Sequence, residues 1–176
     1  MKTTTLILLL FVTAGIDAQK NPFSMLPLKD GKVMYTAVVP AENISKDELY
    51  KRAKRWLAVD AFKSNTNVIQ FDDKENGEII GKGFFVEEYC ILGCAHIVVW
   101  QTVKIQMKDG RYKYEIADFR LKYLYPEKIT PIPEHYDEVL EEWNENKNFY
   151  SAMDITVKAL IDSLEKTMKI PIDYNW

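Results

Sequence analysis

The sequence predicts an α+β domain: an antiparallel five-stranded sheet with its elements in the order strand, helix, four strands, helix, and the helices packed on the sheet. Three observations carry this. Between Glu78 and Leu121, long β-prone runs are broken by short turn signals, of which Asp109-Gly110 is the strongest. Ser45-Lys46-Asp47-Glu48 has the spacing of a capping box, in which serine and glutamate each satisfy an orphan amide at a helix start. Met153, Val157, Leu160, Leu164 and Met168 recur at helical spacing and mark a second amphipathic helix.

Residues 1–18 have the character of an export signal peptide. Lys2 precedes an apolar run from Leu6 to Val12 that is too short to span a bilayer, and residues 14–18 are rich in small side chains. Cleavage is expected between Ala18 and Gln19, leaving one exported domain over residues 19–176. No cysteine follows the apolar run, which disfavours a lipid anchor. No later stretch reaches the ~18 apolar residues of a transmembrane helix. The expectation is a soluble periplasmic or extracellular protein with no membrane insertion after leader removal. A net charge of −3 gives no electrostatic footprint for nucleic acid or an anionic membrane.

Lys29-Asp30-Gly31-Lys32 turns into a first strand, Val33 to Val39, which Pro40 ends. The helix begun by the capping box runs to about Phe62. Leu49, Ala53, Trp56 and Leu57 lie on its apolar side, with Lys51, Arg52, Lys54 and Arg55 mostly opposite. The basic run reads as a solvated helix back rather than a binding surface, and Trp56 as core. A short strand follows over residues 68–71. Asp72, Asp73, Glu75 and Glu78 surround the next turn, but the twelve-residue EF-hand pattern is absent, so they read as an acidic hairpin tip.

Taken as a two-residue type I′ loop, Asp109-Gly110 sets Met107 opposite Tyr112, Ile105 opposite Tyr114 and Val103 opposite Ile116, with Lys104 and Glu115 paired on the other face. Carried on without interruption, this register puts Trp100 opposite Phe119 and Val98 opposite Leu121, on what had been the polar face. Either a bulge near Ala117-Asp118 restores one apolar face, or the two faces are apolar at different ends. The neighbouring turns favour the second reading. A three-residue loop at Ile91-Leu92-Gly93 sets Cys90 opposite Cys94, Val86 opposite Val98 and Phe84 opposite Trp100. Asn76-Gly77, as another type I′ turn, sets Lys74 opposite Ile79 and Ile69 opposite Phe84. The expected result is a row of Ile69, Phe84, Trp100 and Phe119 across four strands, flanked by Val86, Val98 and Leu121.

Pro126, Pro131 and Pro133 keep residues 123–135 out of regular helix or central strand, so this stretch is expected to wrap across the body. The Glu-rich stretch 136–146, with Trp143, reads as one short helix. The last helix runs from about Tyr150 to Lys169, Ile155 and Ile161 widen its apolar side, and Pro171 stops it.

The chemistry of common active sites is not visible. The two histidines, His96 and His135, and a C-x3-C pair do not make a zinc site; His96 falls opposite Glu88 as a surface pair. Gly77, Gly81 and Gly83 sit in a hairpin without the strand-loop-helix setting of a phosphate loop. Ser45, Ser64, Ser151 and Ser163 lack a nucleophile elbow. Glu87-Glu88 and Glu141-Glu142 are adjacent and diverge on either a strand or a helix. No catalytic residue, metal site or cofactor is expected.

Several motifs together resemble a known family: Ser45-Lys46-Asp47-Glu48-Leu49-Tyr50, Arg55-Trp56, the Val68-Ile69-Gln70 strand, residues 77–81 (GEIIG), and residues 108–116 (KDGRYKYEI) followed by Asp118-Phe119. They are similar to a bacterial family of exported domains of unknown function, common in Bacteroidetes, with a TATA-binding-protein-like (TBP-like) fold. The resemblance spans about Met34 to Leu121, and KDGRYKYEI is its most specific part. It implies a TBP-like core over about 33–121 and a C-terminal extension with a helix over 122–176. The fold name describes likeness of shape rather than DNA binding, and the resemblance brings no catalytic or ligand residues. The Cys90-Cys94 pair stands apart from the family pattern.

Two functions follow. The first is a non-enzymatic binding module that uses the apolar face of Ile69, Phe84, Val86, Val98, Trp100, Phe119 and Leu121 for an unknown protein or a small apolar ligand, unless residues 123–150 cover that face as a second minor core. The second is an enzyme of unrecognised type, whose site would gather Tyr, Asp and Glu side chains in the sheet cleft. Export favours a Cys90–Cys94 disulfide; free buried thiols are the rival reading.

Overall fold

Turn chemistry and two helix starts set the architecture, which the computed structural model describes for residues 25–62, 68–90, 94–124 and 147–171. The elements are β1 (Leu28–Lys29), β2 (Lys32–Val33), β3 (Tyr35–Pro40), α1 (Lys46–Val59), β4 (Ile69–Asp73), β5 (Glu78–Cys90), β6 (Cys94–Lys108), β7 (Arg111–Leu124) and α2 (Lys147–Lys169). β3 to β7 form a five-stranded antiparallel sheet in the order β3-β7-β6-β5-β4. The first strand therefore pairs with the last, and α1 carries the chain from one edge to the other. This is the expected α+β arrangement. The leader, the segment 125–146 and its expected short helix lie outside the described residues.

β1 and β2 add a small hairpin where the sequence pattern predicts only a turn. Asp30 and Gly31 both have positive φ (52° and 76°), as a type I′ loop requires. At Asp109-Gly110 only Gly110 has positive φ (74°), so this turn is of the type II kind rather than type I′. The expected pairs hold nevertheless, because the loop is two residues long in either type: Met107 faces Tyr112, Ile105 Tyr114 and Val103 Ile116.

The next tip is longer than expected. Asp73 pairs with Glu78 across a four-residue loop, and Asn76 donates through its amide (2.9 Å) and its Nδ2 (2.7 Å) to the Asp73 carboxylate. These hydrogen bonds hold the Asp73 pKa below its ordinary value, so the acidic tip is an Asx-type turn. With that loop, and an irregularity between Ile69 and Phe71, Ile69 sits opposite Gly81 rather than Phe84.

Both helices pack on one face of the sheet. Ile79, Ile97, Val99, Val103, Ile105, Met107, Tyr112, Tyr114 and Ile116 meet Leu49, Ala53, Trp56 and Leu57 of α1 and Met153, Val157, Leu164 and Met168 of α2 in one buried cluster. The helix periodicity is thus the one read from the sequence, except that Ile155 is 65 % exposed and does not widen the apolar side. Gly81 and Gly83 let α1 and its following turn come close. A Cβ on Gly81 would lie 2.8 Å from Leu57, and one on Gly83 would overlap the Phe62 ring.

Two polar details differ from expectation. Ser45 Oγ accepts from the Glu48 amide (3.3 Å), but the Glu48 carboxylate turns to Arg52 Nε (2.9 Å) instead of closing the capping box. Arg52 itself is buried rather than solvated, because the C-terminus of α2 crosses its side of α1, and its Nη1 donates to the Met168 carbonyl at 2.7 Å. Guanidinium is suited to this position, satisfying a helix-end carbonyl and a carboxylate at once.

Candidate functional site

With both helices on the inner face, no helix among the described residues covers the outer face of β5, β6 and β7. Its character changes halfway along the strands. Toward the Asp109 turn it is a charged network: Lys104 Nζ lies 3.0 Å from Glu78 Oε2, Gln106 Nε2 donates to the same oxygen at 2.7 Å, and Lys113 pairs with Glu115. The hydrogen bond from Lys113 holds the Glu115 pKa below its usual value.

Toward the other end the face is apolar. Phe84 pairs with Trp100 and Val86 with Val98, as expected. The Phe84 and Trp100 rings are 4.7 Å apart and tilted by 54°. Trp100 is 39 % and Val86 47 % exposed, whereas Val98 is 7 % exposed although it lies outside the main core cluster.

A β-bulge separates the halves. Trp100 pairs with Arg120 and Thr102 with Ala117, so Gln101 faces one residue too many, and Asp118 takes φ = 55°. A left-handed residue is what this kind of bulge needs, and Asp tolerates the conformation better than most side chains. The extra residue returns Phe119 and Leu121 to the inner face. Leu121 is 5 % exposed within the core, and Phe119 packs edge-on to Tyr35 at 6.0 Å. The uninterrupted register with its inverted face is therefore corrected: of the two readings of Ala117-Asp118, the bulge is the one adopted. Ile69, opposite Gly81, also packs against the core. Of the seven residues expected on one face, Phe84, Val86, Val98 and Trp100 share the outer face, and Ile69, Phe119 and Leu121 do not.

At the bulge the surface dips into an open depression of about 230 Å³ lined by Lys82, Trp100, Gln101, Thr102, Asp118 and Arg120. Lys82 lies opposite Thr102, and Arg120 opposite Trp100, so the two cations flank β6 from its two neighbours. Gln101 is buried, with its Oε1 unpartnered by any hydrogen bond. The sequence reading missed Lys82, Thr102, Asp118 and Arg120. Their signal was the break in alternation at Ala117-Asp118, which marks where a bulge re-aims side chains.

The groups with raised pKa are core tyrosines. Burial pushes up Tyr35, Tyr112, Tyr114 and Tyr150, helped at Tyr35 by its 2.9 Å hydrogen bond to Asp154. Among the described residues no cluster of His, Cys, Asp and Glu could hold a metal ion, and no helix is long and apolar enough to cross a membrane. The backbone places Cys90 opposite Cys94.

A family model described as "Domain of unknown function (DUF4468) with TBP-like fold" matches residues 35–122, half of the chain. The chain belongs to the DUF4468 family. Among solved structures, the domain is similar to a TBP-like protein from Parabacteroides distasonis ATCC 8503, at 22 % identity and a TM-score of 0.63, over 83 % of this chain and 98 % of that one. It is also similar to a DUF4468 family protein from Bacteroides ovatus ATCC 8483, at 18 % identity and a TM-score of 0.53, over 87 % and 95 % of the two chains. At such identities the likeness shows the fold. Comparison with curated protein sequences finds no match.

Proposed function

We propose that this DUF4468 domain is a non-enzymatic binding module, exported from the cytoplasm, whose site is the outer sheet face around Trp100. The observation that carries the reading is the partly exposed Phe84–Trp100 pair, contiguous with the exposed Val86 and bordered by a depression. Scattered apolar side chains on a surface are ordinary, but a contiguous aromatic-aliphatic patch beside a concavity is the usual form of a binding site. The enzyme reading would need carboxylates and tyrosines gathered in the depression. Among the described residues its lining holds one carboxylate, Asp118, and no tyrosine.

The test uses a neutral apolar probe, N-phenyl-1-naphthylamine, titrated into the full mature chain while backbone amide resonances are followed. Saturable shifts at residues 84, 86, 98 and 100, lost in Trp100→Ala, are expected. Shifts confined to the inner core, or no binding, would remove the reading. Export is tested by the intact mass of the protein from its native host, which should begin at Gln19.

A further inference from the structure

We infer that the ligand of this face is a single-chain anionic amphiphile, a long-chain carboxylate with its head between Lys82 and Arg120 and its chain along Trp100, Phe84 and Val86. The inference rests on the binding reading above and adds the ligand class.

Charge segregation along one face points to it. In the half toward the Asp109 turn, Lys104 and Lys113 are ion-paired with Glu78 and Glu115. Only Lys108 and Arg111, at the exposed tip away from the Trp100 patch, have no ion pair there among the described residues. In the half around Trp100, Lys82, Arg120 and Lys122 form no ion pair among the described residues, although the chain as a whole carries a net charge of −3. Acidic chains have carboxylates to spare, so cations left unpaired beside an apolar patch are complementary to an outside anion. Among the described residues, the acidic groups on this half are Asp118, in the lining, and Glu88, opposite His96 at the far end.

Geometry then selects the shape. Lys82 and Arg120 sit on strands two spacings apart and two residues out of step, about 12 Å between backbones, with β6 between them. Long flexible side chains on either side of one strand can converge on a single small anion above it. From Thr102 to Val98 the strand runs about 13 Å, which gives an extended chain a track past the exposed Trp100 and Val86. A wholly neutral apolar ligand would desolvate two cations without pairing them. A bare inorganic anion would leave Phe84, Val86 and Trp100 in water. Asp118 on the rim disfavours a doubly charged head by like-charge repulsion, which leaves a monoanion such as a carboxylate.

Decanoate and decyltrimethylammonium below their micelle concentrations, and 1-decanol below its solubility limit, are titrated against the full mature chain by calorimetry, with amide shifts to place the site. Decanoate is expected to bind about tenfold or more tightly than decanol, since charge-assisted hydrogen bonds are lost with the head. The Lys82→Gln/Arg120→Gln variant is expected to lose that advantage, with decanol binding no weaker than in the parent and the denaturation midpoint unchanged, both side chains being exposed. Equal affinity for decanol or for the cationic amphiphile overturns the ligand class but leaves the binding module standing. Sedimentation with phosphatidylglycerol vesicles without binding of monomeric decanoate overturns it in favour of a membrane surface. Failure of every probe, the neutral naphthylamine included, overturns both readings.

Discussion

Asp109, at the tip of the β6–β7 hairpin, accepts a hydrogen bond of 2.7 Å through its Oδ1 from the Lys46 amide at the start of α1. The same tip is held twice more, by Gly110 N donating to the Ile44 carbonyl and Ala41 N donating to the Gly110 carbonyl, both at 2.9 Å. Lys46 Nζ meanwhile reaches the Glu75 carbonyl of the neighbouring hairpin at 2.8 Å. Two hairpin tips thus converge on one helix N-terminus, where Asp109 satisfies the Lys46 amide while Glu48 is engaged with Arg52. This gives KDGRYKYEI a structural role. Asp109→Ala is expected to cost about 1 kcal/mol, as the loss of a helix cap does, and Asp109→Asn less, because an acceptor remains. Urea denaturation midpoints of the two variants check this; an unchanged midpoint in Asp109→Ala would show that the contact contributes nothing.

Glycine strain can be separated from glycine packing at two neighbouring turns. Gly110 has φ = 74° with nothing within 4 Å of an added Cβ, so Gly110→Val meets only backbone strain, on the order of 1 kcal/mol or more. Gly77 has φ = 67°, and a Cβ there would lie 2.7 Å from the Met107 carbonyl oxygen, whose own amide donates to Gly77 O at 2.8 Å. Even Gly77→Ala should therefore lose more stability than Gly110→Ala. Equal losses in the two alanine variants would contradict the close approach at Gly77.

Much of this fold was legible because local signals agreed with the tertiary structure. Ser45 caps the helix it was expected to cap, and the pairs from Met107–Tyr112 to Val103–Ile116 follow from loop length alone. The pairs Phe84–Trp100 and Val86–Val98 follow likewise from a three-residue loop. What could not be carried forward was register through Asp118, since one inserted residue reverses every later side chain. Ile69 changed face for the same reason, at the irregularity between Ile69 and Phe71, whereas the longer turn at residues 74–77 shifts its partner by two residues and keeps the face. The depression at the bulge was invisible as a site because its lining comes from three strands whose juxtaposition depends on that single residue. Arg52 looked like a solvated cation because its partner, the Met168 carbonyl, belongs to a distant helix end.

That buried guanidinium is itself a test of how α1 and α2 are joined. Replacing Arg52 with Met keeps volume but strands the Met168 carbonyl and frees Glu48. A loss of about 1–3 kcal/mol is expected from the unsatisfied buried acceptor. Arg52→Lys should recover only part of it, because an ammonium cannot reach both partners in the fork geometry. Full recovery by lysine would mean that charge alone matters at this site.

Alkaline pH should unfold the domain. Tyr35, Tyr112, Tyr114 and Tyr150 have pKa values raised by burial, so the folded state holds their protons more tightly than the unfolded chain does. Their stabilising effect is complete below the unfolded value of about 10 and is lost as pH rises above it. Each tyrosine that ionises only when unfolded removes about 1.4 kcal/mol per pH unit. Tyrosinate absorbance between pH 9 and 12 should show these four titrating together with the loss of helical circular dichroism. Their ionisation in a still-folded protein would contradict the burial argument.

Cys90 and Cys94 close the far end of the patch. They are register partners across a three-residue loop, and directly opposed strand residues can meet the roughly 4.4–6.8 Å Cα separation that a disulfide requires. Export, proposed from the leader, places them in an oxidising compartment, so the bond is expected to form. The closed loop is tiny, and loop-closure scaling gives about 1–2 kcal/mol of stabilisation, which strain in so short a ring can offset. The pairing of Val86 with Val98 lies four residues inward from each cysteine and is also fixed by the strand ladder, so reduction should leave the Phe84–Trp100 contact in place while loosening the tip. Thiol titration of the unfolded, unreduced mature protein should find no reactive thiol. Two reactive thiols would remove the bridge, and the register of the patch would then rest on the turns and the bulge alone.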